Sequence, residues 1–293
     1  MFFRKTENWN LSKFILFLVI IPCVIIWLFP LWNVLVSSTK SVEGSLMSKP
    51  WSFSPIDNPL LQFISNIERA MKGSQRGNGI QSAFFNSSLY ALSGAIFSIA
   101  FAALAAFALV CLPIKGRFPI FIILFSGALF PLQIYLIPLF SLFQKTNMYD
   151  RKITLILVYV AICIPFCVFV LRNWFMDIPI EIYEASKIDG ASNIQIFLQI
   201  FVPLSKAPLV LLFLFQFTWI WNDYIFGTTF ARSVNTRSIM ALLAAQQNMY
   251  STLGTPTVLA SAIITSLPTV FLVFAFKNIF FKGVAFRFSG SSK

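Results

Sequence analysis

Residues 177–203 read DIPIEIYEASKIDGASNIQIFLQIFVP, and their order spells two short helices around a glycine. Asp177 can cap a first helix with Pro179 in its opening turn. That helix carries Glu181, Glu184, Ala185 and Lys187 and stops at Asp189-Gly190, because glycine accepts the positive φ of a sharp reversal. Ser192 and Gln195 form an S-x-x-Q capping box that opens a second helix. Ile194, Phe197, Leu198 and Phe201 recur at i, i+3, i+4 and i+7, an expected apolar stripe, and Pro203 ends the pattern. Two roles suit such a hairpin: an amphipathic brace at the membrane surface, or a docking element for a soluble partner.

Apolar blocks stand on both sides of the hairpin, and six are long enough to cross a bilayer. Phe14–Val36 comes first, 23 residues reaching about 34 Å as a helix against a hydrocarbon core of about 30 Å. Its apolar core is too long for a signal peptide, and no small-x-small cleavage site follows. The others are Phe84–Leu112, Phe118–Phe143, Ile153–Leu171, Pro208–Phe226 and Val258–Phe281. Short alternating segments of the kind that build barrels are absent. Pro22, Pro30, Pro131, Pro138, Pro165 and Pro268 favour kinks within these spans. Ala102, Ala103, Ala105, Ala106 and Ala108 let the second span approach its neighbours closely.

The expected fold is therefore an all-α polytopic membrane protein. Residues 1–13 form an N-terminus, 14–36 a first span, 37–83 an extracytoplasmic loop, 84–281 a five-helix core that includes the 172–207 loop, and 282–293 a C-terminus. With both termini cytoplasmic, 12 of the 22 basic residues lie inside, too even a split to orient the chain by charge.

Composition agrees. Only 11% of residues are charged, against about a quarter in a soluble domain, and the 35 Phe residues outnumber all charged side chains together. The net charge of +12 lies between apolar blocks, which favours headgroup anchoring over nucleic acid. The absence of His removes the commonest metal ligand and acid–base group. Cys23, Cys111, Cys163 and Cys167 read as small buried hydrophobes, so no metal site is expected.

Glu184-Ala185-Ser186, then Asp189-Gly190-Ala191, Ile200 and Pro203-Leu204 resemble the EAA loop of ATP-binding-cassette importer permeases. Ser186 stands where that motif commonly has Ala. Leu139 to Ile156, the run Leu171–Phe175 with Ile178-Pro179, the run Trp219–Asp223 and the closing Phe280-Phe281-Lys282-Gly283 are similar to the carbohydrate-importer, maltose-permease-like branch. The resemblance runs from about Phe84 to the C-terminus, and Pro55–Gly79 reads as an insertion. It implies a type I permease fold in the bacterial inner membrane. Its partners would be a second related permease subunit, a dimer of ATP-binding subunits and an extracytoplasmic solute-binding protein. The EAA loop would be cytoplasmic, with its first helix docking on the ATPase through Glu184, Ala185, Ser186, Asp189, Gly190, Ala191 and Pro203.

The chain has no G-x-x-x-x-G-K-S/T, and Gly73–Gly79 lacks the lysine such a loop needs. The chain is thus expected to be non-catalytic and to bind no cofactor, with ATP and magnesium held by the partner. Polar groups within spans are costly in lipid and should face the interior. Gln133, Tyr135, Tyr159, Gln216, Trp219, Asn222 and Asp223 are the candidates for a saccharide path, although Trp219, Trp221 and Tyr224 also suit an aromatic belt. Gln246, Gln247, Asn248 and Tyr250 lie in an external loop that could reach the binding protein or merely be solvated. Lys145, Arg151, Lys152, Arg232 and Arg237 on the outer side could anchor the membrane or steer an anionic oligosaccharide. The rival is a self-contained secondary transporter or channel, which calls for ionisable groups deep in the spans.

Overall fold

The computed structural model describes the backbone of residues 11–72, 79–247 and 254–290, and the side-chain surroundings of residues 16–72, 79–247 and 254–277. Every regular element among them is helical. In order they are α1 (Leu11–Ser38), α2 (Val42–Met47), α3 (Pro59–Lys72), α4 (Ile80–Cys111), α5 (Arg117–Ser126), α6 (Leu136–Lys145), α7 (Lys152–Met176), α8 (Ile180–Ile188), α9 (Asn193–Ile196), α10 (Val202–Leu204), α11 (Lys206–Trp221), α12 (Ile225–Phe230), α13 (Ile239–Gln246) and α14 (Thr255–Gly290). A 3₁₀ turn, Leu132–Tyr135, precedes α6, and a π-helical turn, Phe197–Phe201, joins α9 to α10.

Among the described residues, four helices are long and apolar enough to span a membrane: Leu16–Ser38, Ile80–Cys111, Lys152–Met176 and Thr255–Lys277. Asn193–Leu204 with Lys206–Trp221 makes a fifth if that pair, bent by 77°, is counted as one span. The sequence predicts one helix over Phe118–Phe143; the chain instead breaks between α5 and the 3₁₀ turn. Gly127 ends α5, and Pro131 precedes the next turn. Two such residues four positions apart interrupt the ladder outright, where Pro22, Pro30, Pro165 and Pro268 are accommodated inside continuous helices.

The chain divides into two compact units, one of residues 1–74 and 246–264, the other of 75–245 and 265–293. In the first, the stretch read as an external loop is folded. Ser41 caps α2 by accepting from Gly44 N–H (2.9 Å), and Asp57 in turn accepts from the Ser41 N–H (2.8 Å). The buried Asn66 of α3 donates to the carbonyls of Ser38 and Lys40, both at 2.9 Å, and accepts from Thr257 at 3.2 Å. The stretch from Pro55 thus carries a helix, Pro59–Lys72, tied to the end of α1. Cys23 lies exposed on α1 rather than buried, since α1 turns most of its surface outward.

In the second unit α4 packs along α7 and against α11. Ala91, Ala95, Ala102, Ala103 and Ala106 are buried along α4, while Ala105 and Ala108 are half-buried. Gly94 permits the tightest approach: a Cβ there would stand 2.6 Å from Ile220 Cδ1 and 3.2 Å from Tyr159 Cβ. Trp221 belongs to this core and to no aromatic belt; its ring is buried against Phe84 and Phe217, and its Nε1–H donates to the Thr265 carbonyl at 3.0 Å.

The segment after α12 is held by polar contacts from two directions. Asp150, left-handed at φ 59° in the turn before α7, accepts from the N–H groups of Arg232 (2.8 Å) and Ser233 (3.1 Å) and from the Thr236 hydroxyl. From α4, Tyr90 OH donates to the Thr236 carbonyl (2.6 Å) and Asn86 to that of Asn235 (3.0 Å). Burial pushes the Asp150 carboxyl upward, but the donors outweigh it and hold it below the ordinary aspartate value. A depressed folded value contributes stability above the unfolded one, about 3.9, and loses it as pH falls further. Asp150→Asn is expected to lower stability by about 1 kcal/mol at pH 7 and to flatten the acid limb. Thermal unfolding of both proteins in detergent at pH 7 and pH 4 checks this; equal losses on acidification would rule out the anchor.

Candidate functional site

Two features of the second unit carry the expected site residues: the hairpin of 177–203 and a cavity beside α7 and α11. The hairpin forms, with different ends from those expected. Asp177 closes α7 and caps nothing beyond it; Pro179 occupies the cap position of α8, with no side-chain hydrogen bond. The reason is the long α7, which runs on to Met176 and leaves only three residues, Asp177 to Pro179, for the reversal.

The first helix stops as its sequence predicts. Gly190 takes φ +83°, its N–H reaches the Lys187 carbonyl (3.1 Å), and Ala191 N–H reaches that of Ser186 (3.0 Å). These paired bonds are a Schellman closure, and they turn the chain within one residue. A Cβ on Gly190 would meet nothing within 4 Å, so glycine is required there by backbone conformation alone. Ser192 and Gln195 complete the capping box, with bonds of 2.8 and 3.3 Å. Ser186 returns its hydroxyl to the Ile182 carbonyl at 2.7 Å, so it fits without a new packing demand.

The apolar face of the second arm differs from the predicted stripe. Ile196, Phe197 and Phe201 are buried, whereas Ile194 and Leu198 are exposed. The π-helical turn accounts for this, because five residues in that turn rotate the register away from 3.6. Pro203 does not end the arm; the helix continues to Leu204 and breaks at Ser205. Phe201 meets Phe107 of α4 and Phe175 of α7 edge-on, with centroids 5.0 and 5.3 Å apart. Phe107 also touches Phe197 (5.4 Å) and Tyr183 (6.2 Å). By contrast α8 has no buried residue, and Ile188 at its tip is 87% exposed. Glu184, Ala185, Asp189 and Gly190 are exposed, Ser186 and Ala191 half-buried, and Pro203 exposed.

The cavity has a volume of about 990 Å³. Gln133, Gln216, Trp219, Asn222 and Asp223 line it, so five of the seven path candidates converge. Tyr135 lies instead on a separate cleft of about 380 Å³. Tyr159 stands behind the wall, buried, and its hydroxyl donates to Asp223 Oδ2 at 2.8 Å. The same oxygen accepts from Gly227 N–H at 2.9 Å, so Asp223 stitches α7 to the first turn of α12 as well as facing the cavity. Gln216 donates to Cys167 Sγ at 3.3 Å, which gives a structural use to one of the buried cysteines. Sequence reading missed Thr218, Tyr224, Cys163 and Phe166 in the lining. Phe166 and Cys163 lie three apart in the apolar run of α7, and nothing in that run marks them as lining residues. Among the described residues no group of His, Cys, Asp or Glu is arranged to hold a metal ion.

The external loop candidates separate. Gln246 ends α13 with its amide buried, because the stretch expected to be loop contains a helix; Gln247 is exposed. Asn248 and Tyr250 lie outside the described residues.

Residues 79–285 match the family described as "Binding-protein-dependent transport system inner membrane component". An osmoprotective compounds uptake permease protein of Synechocystis is 27% identical over 96% of this chain and 93% of its own. A diacetylchitobiose uptake system permease protein of Streptomyces coelicolor is 31% identical over 71% of this chain and 65% of its own. In fold, the chain is similar to one in the crystal structure of a bacterial ABC transporter involved in the import of the acidic polysaccharide alginate. That likeness has a TM-score of 0.77 at 20% identity, covering 94% of this chain and 100% of the other.

Proposed function

The chain belongs to the family of binding-protein-dependent transport system inner membrane components, and from that premise we propose that it carries a saccharide inward as one half of a permease pair. As such a component it is an ABC importer permease of the inner membrane and not itself a catalyst. The observation that carries the mechanism is the contrast within the hairpin. One arm, α8, projects with no buried residue, while the other is sunk among rings of α4 and α7. A partner gripping α8 would move α4 and α7 with it.

We place α8 on the cytoplasmic side, docked on a separate ATPase dimer that holds ATP and magnesium. Glu184 pairs there with a basic residue, and Ala185 allows close packing. Gly190 and Asp189 keep the elbow short, with Ser186, Ala191 and Pro203 shaping its flanks. Closing of the ATPase dimer rotates the bundle between inward- and outward-facing states. A solute-binding protein delivers the solute outside, where Gln246, Gln247, Asn248 and Tyr250 are the candidate contacts.

The amides of Gln133, Gln216 and Asn222 suit sugar hydroxyls, and Trp219 offers a face for a sugar ring. The Synechocystis, Streptomyces and alginate proteins are named for osmoprotective compounds, a disaccharide and a polysaccharide, which supports an oligosaccharide here. An anionic one would meet Lys145, Arg151 and Lys152 outside, but among the described residues Asp223 is the one charged residue lining the cavity. The test is reconstitution with the partner subunits, reading which saccharide-loaded binding protein stimulates ATP hydrolysis. Neutral and uronic-acid oligosaccharides are compared. Solute movement by this polypeptide alone along an ion gradient would instead establish a secondary transporter.

A further inference from the structure

Beside the root of α8 lies a second cleft, of about 510 Å³, that the transport reading leaves unused. Four ionisable side chains line it: Arg117 at the start of α5, Arg172 near the end of α7, Asp177 after it, and Glu181 in the first turn of α8. Opposite charges so placed would be expected to pair. Among the described residues, neither guanidinium lies within ion-pair distance of a carboxylate. Arg172 stacks over the Phe121 ring at 4.3 Å, and Arg117 makes one long bond, 3.5 Å, to the Val110 carbonyl. Both therefore keep donors for something else. The remaining wall is apolar, with Val110 from the last turn of α4 and Met176 from the last turn of α7.

Both α4 and α7 are helices long enough to span, so the cleft opens where acyl chains give way to headgroups. Two free cations and two free anions in one cleft at that depth complement a ligand that carries both charges. A bare anion would satisfy the arginines but face two carboxylates. We infer that the cleft binds the headgroup of a zwitterionic phospholipid with a primary ammonium, as in phosphatidylethanolamine. Its phosphate meets Arg117 and Arg172, its ammonium meets Asp177 and Glu181, and its chains lie along Val110 and Met176. Arginine suits the phosphate side because its planar fork binds phosphate oxygens in pairs. The inference rests on the membrane placement alone and stands or falls separately from the transport reading.

The test is native mass spectrometry of the full chain, released in mild detergent from nanodiscs of equal phosphatidylethanolamine, phosphatidylglycerol and phosphatidylcholine. One phosphatidylethanolamine is expected to be retained in preference to both others. Arg117→Gln with Arg172→Gln should cut that retention roughly tenfold, and Arg117→Lys alone should restore part of it relative to Arg117→Gln. Thermal unfolding in detergent shows that the variants remain folded. Equal retention of phosphatidylglycerol would overturn the zwitterionic assignment, and unchanged retention in the double variant would overturn the site. Retention of soluble phosphoethanolamine, added at equal concentration, in place of any lipid would mean a free small molecule and not a lipid, and would also overturn it.

Discussion

Glu184→Lys is expected to reduce uptake by more than about tenfold while the chain remains folded and membrane-inserted. Glu184 is exposed on α8 and has no partner of its own among the described residues. Reversing its charge therefore removes no internal bond, and such surface changes usually move stability by about 0.5 kcal/mol or less. On the proposed docking reading, the whole effect falls on the partner. A basic residue of the ATPase that loses its carboxylate and meets an ammonium forfeits about 2–5 kcal/mol of interface energy, and about 1.4 kcal/mol is already tenfold. Uptake and ATP hydrolysis should then separate: the ATPase either turns over without import or fails to co-purify. Normal import by this variant would remove the docking role of α8.

The sequence conveyed the hairpin well because its signals are local. Gly190 and the Ser192–Gln195 box depend on neighbours in the chain, and both formed; of the six spans read from the sequence, four are continuous helices among the described residues, or five with the bent pair. What was illegible depended on tertiary placement. The register of Phe197–Phe201 shifts because rings from α4 and α7 claim Phe197 and Phe201, and a π-helical turn satisfies them at the expense of Ile194 and Leu198. No periodicity announces that. The break after Ser126 was visible as Gly127 and Pro131 but indistinguishable in sequence from Pro165 and Pro22, which lie inside intact helices. The cavity was half legible. Polar residues in apolar runs pointed to Gln133, Gln216, Asn222 and Asp223, whereas Phe166 and Cys163 look like ordinary span residues until α7 and α11 are set side by side. Trp221 shows the opposite failure: a tryptophan near a span end suits the interface, yet its indole N–H finds the Thr265 carbonyl and the ring is buried.

Phe201→Ala should produce the second large effect, and by a different route. Phe201 is 1% exposed, and its ring is the point where the hairpin meets both α4 and α7. Truncating such a buried aromatic costs about 3–5 kcal/mol, through lost transfer energy and the void left behind. On the proposed reading the loss falls between α8 and the bundle, since α8 has no fully buried residue, touches the core through the half-buried Tyr183 against Phe107, and keeps its own Schellman closure. The ATPase should therefore still bind, and its hydrolysis should persist, while uptake falls by at least tenfold because the pull on α8 no longer reaches the spans. Phe201→Leu, which keeps more of the volume, should recover part of the coupling. An ATPase that no longer co-purifies with Phe201→Ala would mean that the ring holds the docking surface in shape. Transport falling in proportion to ATPase binding would then replace a transmission defect, and the rigid link between α8 and the bundle would have to be sought elsewhere in the hairpin.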